Sequence, residues 1–234
     1  MARELQTGEG DQTISLASVS AFMRQLAHDL HNDLNALDLA ATYINEIIEE
    51  PSAKEELGTQ REIIHSMSRV LHMLSLYLQP PHPGKLTLPA ADLVEGFRES
   101  LFKSHPAETA ALAWDSRVGE SQVDADFGMI CTALTGVYQN ALRYRDEGAG
   151  IAFSAVVKNG TLHLQFSEKK SAAPESMDRL GREPFVVVKR RTYGLGLFYA
   201  AQVARAHGGG LEVRYEEAPG LFIVEIVLPV KAKE

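Results

Sequence analysis

His28 and Asp29 stand side by side in a stretch, Phe22 to Leu37, that otherwise repeats leucine and alanine at helical intervals. An imidazole becomes a nucleophile when one ring nitrogen is open and a carboxylate orients the ring or takes its proton. On a wheel of about 100° per residue, Leu26, Leu30, Leu34 and Leu37 fall within roughly 40° of one direction, and His28 falls about 160° away with Asn32 and Asn35 beside it. The spacing predicts an open-face histidine, not a core one. A solvated polar face with no chemistry satisfies the same wheel. His31, His65 and His72 lie in the same third of the chain. No cysteine is near them, and the single Glu62-x-x-His65 lacks the second Glu-x-x-His that a di-iron site pairs with it, so a metal centre is the weaker reading.

The elements that must carry these residues are two long helices. From Ser15 to Glu50 there is no proline, and Met23, Leu26, Leu30, Leu34, Leu37, Ala41, Ile44 and Ile48 form one apolar stripe. Pro51-Ser52 ends that helix and starts the next, whose stripe is Leu57, Ile64, Met67, Leu71, Leu74 and Leu78. Gln79-Pro80-Pro81-His82-Pro83-Gly84 breaks the pattern and reads as a linker. A helical hairpin with two apolar stripes cannot bury both alone, which predicts pairing with a second copy into a dimeric four-helix bundle. Beyond Lys85 the pattern becomes mixed. Strands are expected at Leu86–Leu88, Ala111–Trp114, Ile151–Val157, Thr161–Phe166, Leu211–Tyr215 and Leu221–Leu228. Helices are expected at about Ala91–Ser104, from Asp126 to about Arg145, and at about Gly196–His207. Asn159-Gly160 is a hairpin signal. Ser167 to Tyr193 fits no element and reads as a long loop. The expected class is α+β, with residues 1–14 a polar tail, 15–80 the hairpin, 81–85 a linker and 86–234 the mixed domain.

Of 234 residues 45% are hydrophobic, enough for a core, and the net charge is −8. An acidic balance argues against nucleic acid as a partner. Cys131 is the one cysteine, so no internal disulfide can form, and the composition suits a reducing cytoplasm. No apolar run approaches the ~20 residues of a membrane span, and Met1 to Gln12 lacks the apolar centre of a signal peptide.

The segment from Phe22 to Leu37, with His28-Asp29-Leu30-His31-Asn32-Asp33-Leu34 at its centre, resembles the H box of two-component sensor histidine kinases. The resemblance makes His28 the phosphoacceptor, Asp29 the acid that assists its proton loss, and Asn32 the position linked to dephosphorylation of the partner. His31 replaces a usual basic residue and Asp33 a usual proline. Gly136-Val137-Tyr138-Gln139-Asn140-Ala141-Leu142-Arg143-Tyr144 resembles the N box of the GHKL ATPase fold. It places Asn140 on Mg²⁺, Arg143 near the phosphates and Tyr144 near the nucleotide, with Gly136 where the family has an earlier asparagine. Arg182-Glu183-Pro184-Phe185 resembles the F box. Thr192-Tyr193-Gly194-Leu195-Gly196-Leu197 resembles the second glycine box, whose backbone N–H groups approach phosphates as a helix begins. Between them the family has Asp-x-Gly-x-Gly, its aspartate holding the adenine amino group. Here the sequence is Glu168-Lys169-Lys170-Ser171-Ala172: Glu168 stands in for the aspartate and both glycines are absent.

The resemblance therefore implies a homodimeric cytoplasmic histidine kinase that uses ATP and Mg²⁺ and passes a phosphoryl group to an aspartate of a response-regulator receiver domain. The basic residues Lys169, Lys170, Arg179, Arg182, Lys189, Arg190 and Arg191 would cover the phosphates or form a solvated loop. The lost glycines admit an alternative, a relay phosphotransferase with a vestigial second domain. A non-enzymatic adaptor that docks a receiver domain is the third reading.

Overall fold

The computed structural model describes residues 16–77, 79–187 and 194–231, leaving aside the side chains of Leu16, Ala17, Ser20, Arg69, His72, Met73 and Leu76. Ser15 and Leu78, expected at helix ends, lie outside the described residues. The chain divides into two compact units between Gln79 and Pro80.

The first unit is a helical hairpin of α1 (Leu16–Ile47) and α2 (Pro51–Tyr77). Proline at the first helical position of α2 sacrifices an N–H that would have no partner there. Ala27, Leu34 and Ala41 of α1 are 3%, 6% and 6% exposed, and Leu57 of α2 is buried as well. The expected single stripe is in fact split. Leu26, Leu30, Leu37 and Ile44 lie to one side of the buried line and stay open in a single copy, Leu37 being 55% exposed. A polar clasp fixes the hairpin register: Arg61 Nε donates to Asp38 Oδ1 at 3.0 Å, and His65 Nε2 lies 3.5 Å from the same oxygen. The guanidinium holds the Asp38 carboxyl below its usual range.

The second unit runs β1 (Leu86–Pro89), α3 (Ala90–Ser104), α4 (Pro106–Thr109), β2 (Ala113–Arg117), β3 (Gln122–Ala125), α5 (Phe127–Tyr144), β4 (Ile151–Lys158), β5 (Thr161–Lys169), α6 (Gly196–Ala206), β6 (Gly210–Glu216) and β7 (Leu221–Pro229). The main sheet has the order β2-β4-β5-β7-β6. The β2–β4 pair is parallel and the rest antiparallel, while β1 and β3 form a separate antiparallel ribbon. Alternation drives this layering: in β5, Leu162, Leu164, Phe166 and Glu168 are buried and the residues between them are not. The buried face packs beneath the helices in an aromatic cluster. Phe153 lies 4.2 Å from Trp114, 4.9 Å from Phe166 and 5.6 Å from Phe97, centroid to centroid. At the hairpin between β4 and β5, Asn159 and Gly160 both have positive φ, +50° and +74°, the pairing a two-residue turn requires.

Two local expectations need correction, and β3 is an addition to them. The strand expected at Ala111–Trp114 is shifted to Ala113–Arg117, because the chain before it turns through α4 on Pro106. β3 alternates exposed and buried residues over only four positions, too few to stand out in the sequence. Ser167 to Lys169, read as the start of a loop, complete β5 through cross-strand pairing with β7.

Candidate functional site

The first group of chemical residues lies on the open face of α1. The His28 side chain is 69% exposed, and its Nδ1 lies 3.3 Å from Asp29 Oδ1. Asn32 Nδ2 lies 3.4 Å from the same Nδ1. The two contacts ask for opposite tautomers. With the proton on Nδ1, the ring donates to Asp29 and leaves the Nε2 lone pair free. With the proton on Nε2, Nδ1 accepts from the Asn32 amide. Gln25 Nε2 donates to Asp29 Oδ1 at 2.8 Å and so holds the carboxylate from the preceding turn. The sequence reading missed Gln25, although its spacing of four from Asp29 was the available signal. His31 is on the side toward α2, half-buried, and its Nδ1 has no partner among the described residues.

The second group is in the mixed unit. Asn140, Arg143 and Tyr144 belong to the last turns of α5, which starts on Asp126. The Asp126 side chain accepts the N–H of Met129, and its other oxygen accepts that of Gly84. Asn140 and Tyr144 are half-buried one turn apart, whereas Arg143 is exposed. The Tyr144 hydroxyl is buried with no hydrogen-bond partner among the described residues. Glu168 is 2% exposed at the end of β5, opposite Ile151 of β4 and Phe222 of β7. Burial pushes its carboxyl above the usual range, and Lys170 pulls the other way. Lys170 Nζ sits 3.0 Å from Glu168 Oε1, a pair made by charge and proximity, not by a well-aligned hydrogen bond. The same ammonium donates to the Tyr144 carbonyl at the end of α5 and lies 5.5 Å above the Phe222 ring.

Lys170 is thus no crowding side chain on a bare loop. Its backbone N–H donates to the Gly220 carbonyl at 2.9 Å, and its carbonyl accepts from the Tyr215 hydroxyl at 3.2 Å. Next to it the Ser171 N–H donates to Asp146 Oδ2 at 2.6 Å, which lowers the Asp146 carboxyl. Asp146 was not singled out from sequence, since a lone aspartate after a helix carries no pattern.

Gly194 has φ +63°, and a Cβ there would come within 2.9 Å of the Val187 carbonyl oxygen, so the position demands glycine. Leu195 is buried, so only its backbone can meet a ligand. Gly196 opens α6, whose first-turn N–H groups precede the first intrahelical acceptor. A Cβ on Gly196 would stand 3.7 Å from the Gly136 carbonyl, so the departure at Gly136 sits where α5 and α6 pack closely. Thr192, Tyr193, Lys189, Arg190 and Arg191 lie outside the described residues. Of the other basic residues in that stretch, Lys170 is buried in the ion pair and Arg179 Nε is paired with Glu183 at 2.7 Å. Cys131 is buried, its thiol pushed up to about 11, as a core cysteine should be.

No family model matches the chain. It is 24% identical over 220 residues to the alginate biosynthesis sensor protein KinB of Pseudomonas aeruginosa, covering 90% of this chain and 37% of that protein. It is 22% identical over 223 residues to the sensor histidine kinase ZraS of Escherichia coli K12, covering 94% of this chain and 47% of that protein. The chain is similar to sensor histidine kinases along most of its length. Full-length ShkA in complex with AMPPNP shares the histidine-kinase fold, with TM-score 0.69 and 20% identity over 91% of this chain and 47% of that one. The chain spans less than half the length of these kinase relatives. Among its described residues no helix is long and apolar enough to cross a membrane.

Proposed function

We propose that the chain is a histidine kinase core that phosphorylates His28 from ATP and passes the phosphoryl group to an aspartate of a receiver domain. The observation that carries this is the His28–Asp29 contact at Nδ1 on an open helix face. With the proton on Nδ1, the free Nε2 lone pair attacks phosphorus as the bond to the leaving oxygen breaks. Asp29 then takes the Nδ1 proton, so the ring carries the phosphoryl group without a net positive charge. The aspartate of the receiver next attacks phosphorus, the electron pair of the P–N bond returns to Nε2, and Asp29 gives its proton back to Nδ1, so the ring leaves as neutral imidazole. Asn32, one turn from His28, is positioned to contact the phosphoryl oxygens or a water near them.

The residues of the second unit fit a nucleotide. Glu168 Oε2 is a buried acceptor with no hydrogen-bond partner among the described residues, which is what an exocyclic amino group of a base needs. Tyr144, whose carbonyl accepts from Lys170, carries a second buried group without a hydrogen-bond partner among the described residues, its hydroxyl. The start of α6 at Gly194-Leu195-Gly196 suits phosphate, and Arg143 supplies a cation on α5. Asn140 offers one neutral oxygen to Mg²⁺, which usually takes few protein ligands and completes its shell with phosphate and water. Bound there, ATP supplies the phosphoryl group and Mg²⁺ offsets charge on it.

Two surface features bear on partners. The open line Leu26, Leu30, Leu37 and Ile44 suits a second copy of the hairpin. Leu39 and Tyr43 are exposed on the same helical side as His28, about 16 Å and beyond along the axis, and suit a receiver domain approaching the histidine.

Incubation with γ-labelled Mg²⁺-ATP tests the proposal. Acid-labile, base-stable label is expected on the wild type and none on His28→Ala. An unlabelled wild type that also binds no nucleotide would transfer the role of donor to a phosphorylated receiver domain.

A further inference from the structure

Lys170 places an ammonium where nothing in the proposed reaction calls for one. It is 8% exposed, and three elements hold it: the end of β5 through Glu168, the end of α5 through the Tyr144 carbonyl, and β7 through the Phe222 ring. Its own main chain is bonded on both sides, to Gly220 and Tyr215. A lysine fixed in this way is built into the site. We infer that Lys170 is a positioning residue for nucleobase binding: its ammonium stands 3.0 Å from Oε1 of Glu168, favours the charged carboxylate, and leaves Oε2, the oxygen away from the ammonium, as the acceptor for the base. This deepens the reading of Glu168 as the acceptor of the base amino group and rests on it.

A buried carboxylate without a cation beside it takes up a proton instead of staying charged. Protonated Glu168 would lose the charge that strengthens its bond to the base amino group and would turn one of its two acceptors into a donor, weakening the contact. The other charged groups facing it oppose each other: Asp146 favours its protonation, and Arg145 resists it. Lys170 is the group held in contact with the carboxylate, so its removal leaves that balance without its largest stabilising charge.

The test uses the whole chain as wild type, Lys170→Met, Lys170→Arg and the double variant Glu168→Gln/Lys170→Met. Two readouts are taken: the ¹³C titration of the Glu168 carboxyl without nucleotide, and calorimetric binding of Mg²⁺-AMPPNP across the neutral range. In Lys170→Met the carboxyl midpoint should rise by about one pH unit or more, and AMPPNP binding should weaken about tenfold at the acid end and recover at the alkaline end. Lys170→Arg should restore both. The double variant, which cannot titrate at this position, should bind weakly with no such pH dependence. An unchanged Glu168 midpoint in Lys170→Met, or tighter AMPPNP binding at every pH, overturns the inference, because the lysine would then be inert or obstructive. A wild type that binds no AMPPNP overturns the nucleotide reading and this role together, while the carboxyl titration still reports whether the ion pair works as described.

Discussion

At the residue scale the His28 ring is poised between two neighbours that want different tautomers. The 3.3 Å contact to Asp29 favours the reactive form and the 3.4 Å contact to Asn32 the other. Asp29→Asn should therefore cut the rate of label incorporation by about 100-fold or more, with the helix content of the protein unchanged by circular dichroism. A second histidine acts on stability. His207 is buried, its Nδ1–H donates to the Val203 carbonyl at 2.7 Å, and its Nε2 accepts the Asp126 N–H at 3.0 Å. Burial, helped by Lys85, holds it below its ordinary 6.5, against the opposing pull of Val203 and Asp126. Below pH 6.5 the unfolded chain binds a proton that the folded one refuses, so folding is weakened as pH falls through that value toward the lower folded one. Glu168, raised in the folded state, works in the opposite sense above 4.5, so the comparison must be internal. Urea midpoints between pH 7.5 and 5.5 should fall more steeply for the wild type than for His207→Gln.

At the element scale, α5 shows how one side chain can organise a region. Asp126 caps Met129, holds Gly84, and offers its own N–H to His207. Asp126→Ala should cost ~1–2 kcal/mol, at the upper end for a cap because Gly84 is released too, measured by chemical denaturation. Much of this was legible beforehand. Asp126 read as the start of a helix, and Asn159-Gly160 as the turn joining the strands Ile151–Val157 and Thr161–Phe166, because those signals are local. The end of β5 was not legible. Glu-Lys-Lys looks like solvent, and only pairing with β7 and the contact with the end of α5 bury the Glu168 and Lys170 side chains while Lys169 stays exposed. Helical spacing placed His28 and Asn32 on one open face, whereas Asn140 and Tyr144 were singled out only by the resemblance. It was unreadable where three distant segments meet around one ammonium.

At the scale of the whole molecule, the split stripe of α1 matters most. Leu34 and its companions serve the hairpin, and Leu30 and Leu37 are left over. Substituting both with aspartate should leave the hairpin folded and convert a dimer into a monomer, as read by light scattering at matched concentration. The net charge of −8 makes any association of two copies depend on apolar contact and not on attraction between unlike charges. The division of the chain at Gln79 also means that Trp114, the one tryptophan, reports on the second unit by itself.

The turn at Asn159-Gly160 gives the protein a clock. Glycine after asparagine leaves the following amide nitrogen unshielded, and this exposed pair can close on itself into a cyclic imide that reopens as aspartate or isoaspartate. Aged preparations should accumulate a more acidic isoform, detectable by isoelectric focusing and mapped by peptide mass to residue 159. Because isoaspartate lengthens the backbone by a methylene group inside a two-residue turn, the older molecules should also be those whose central hairpin is first to open.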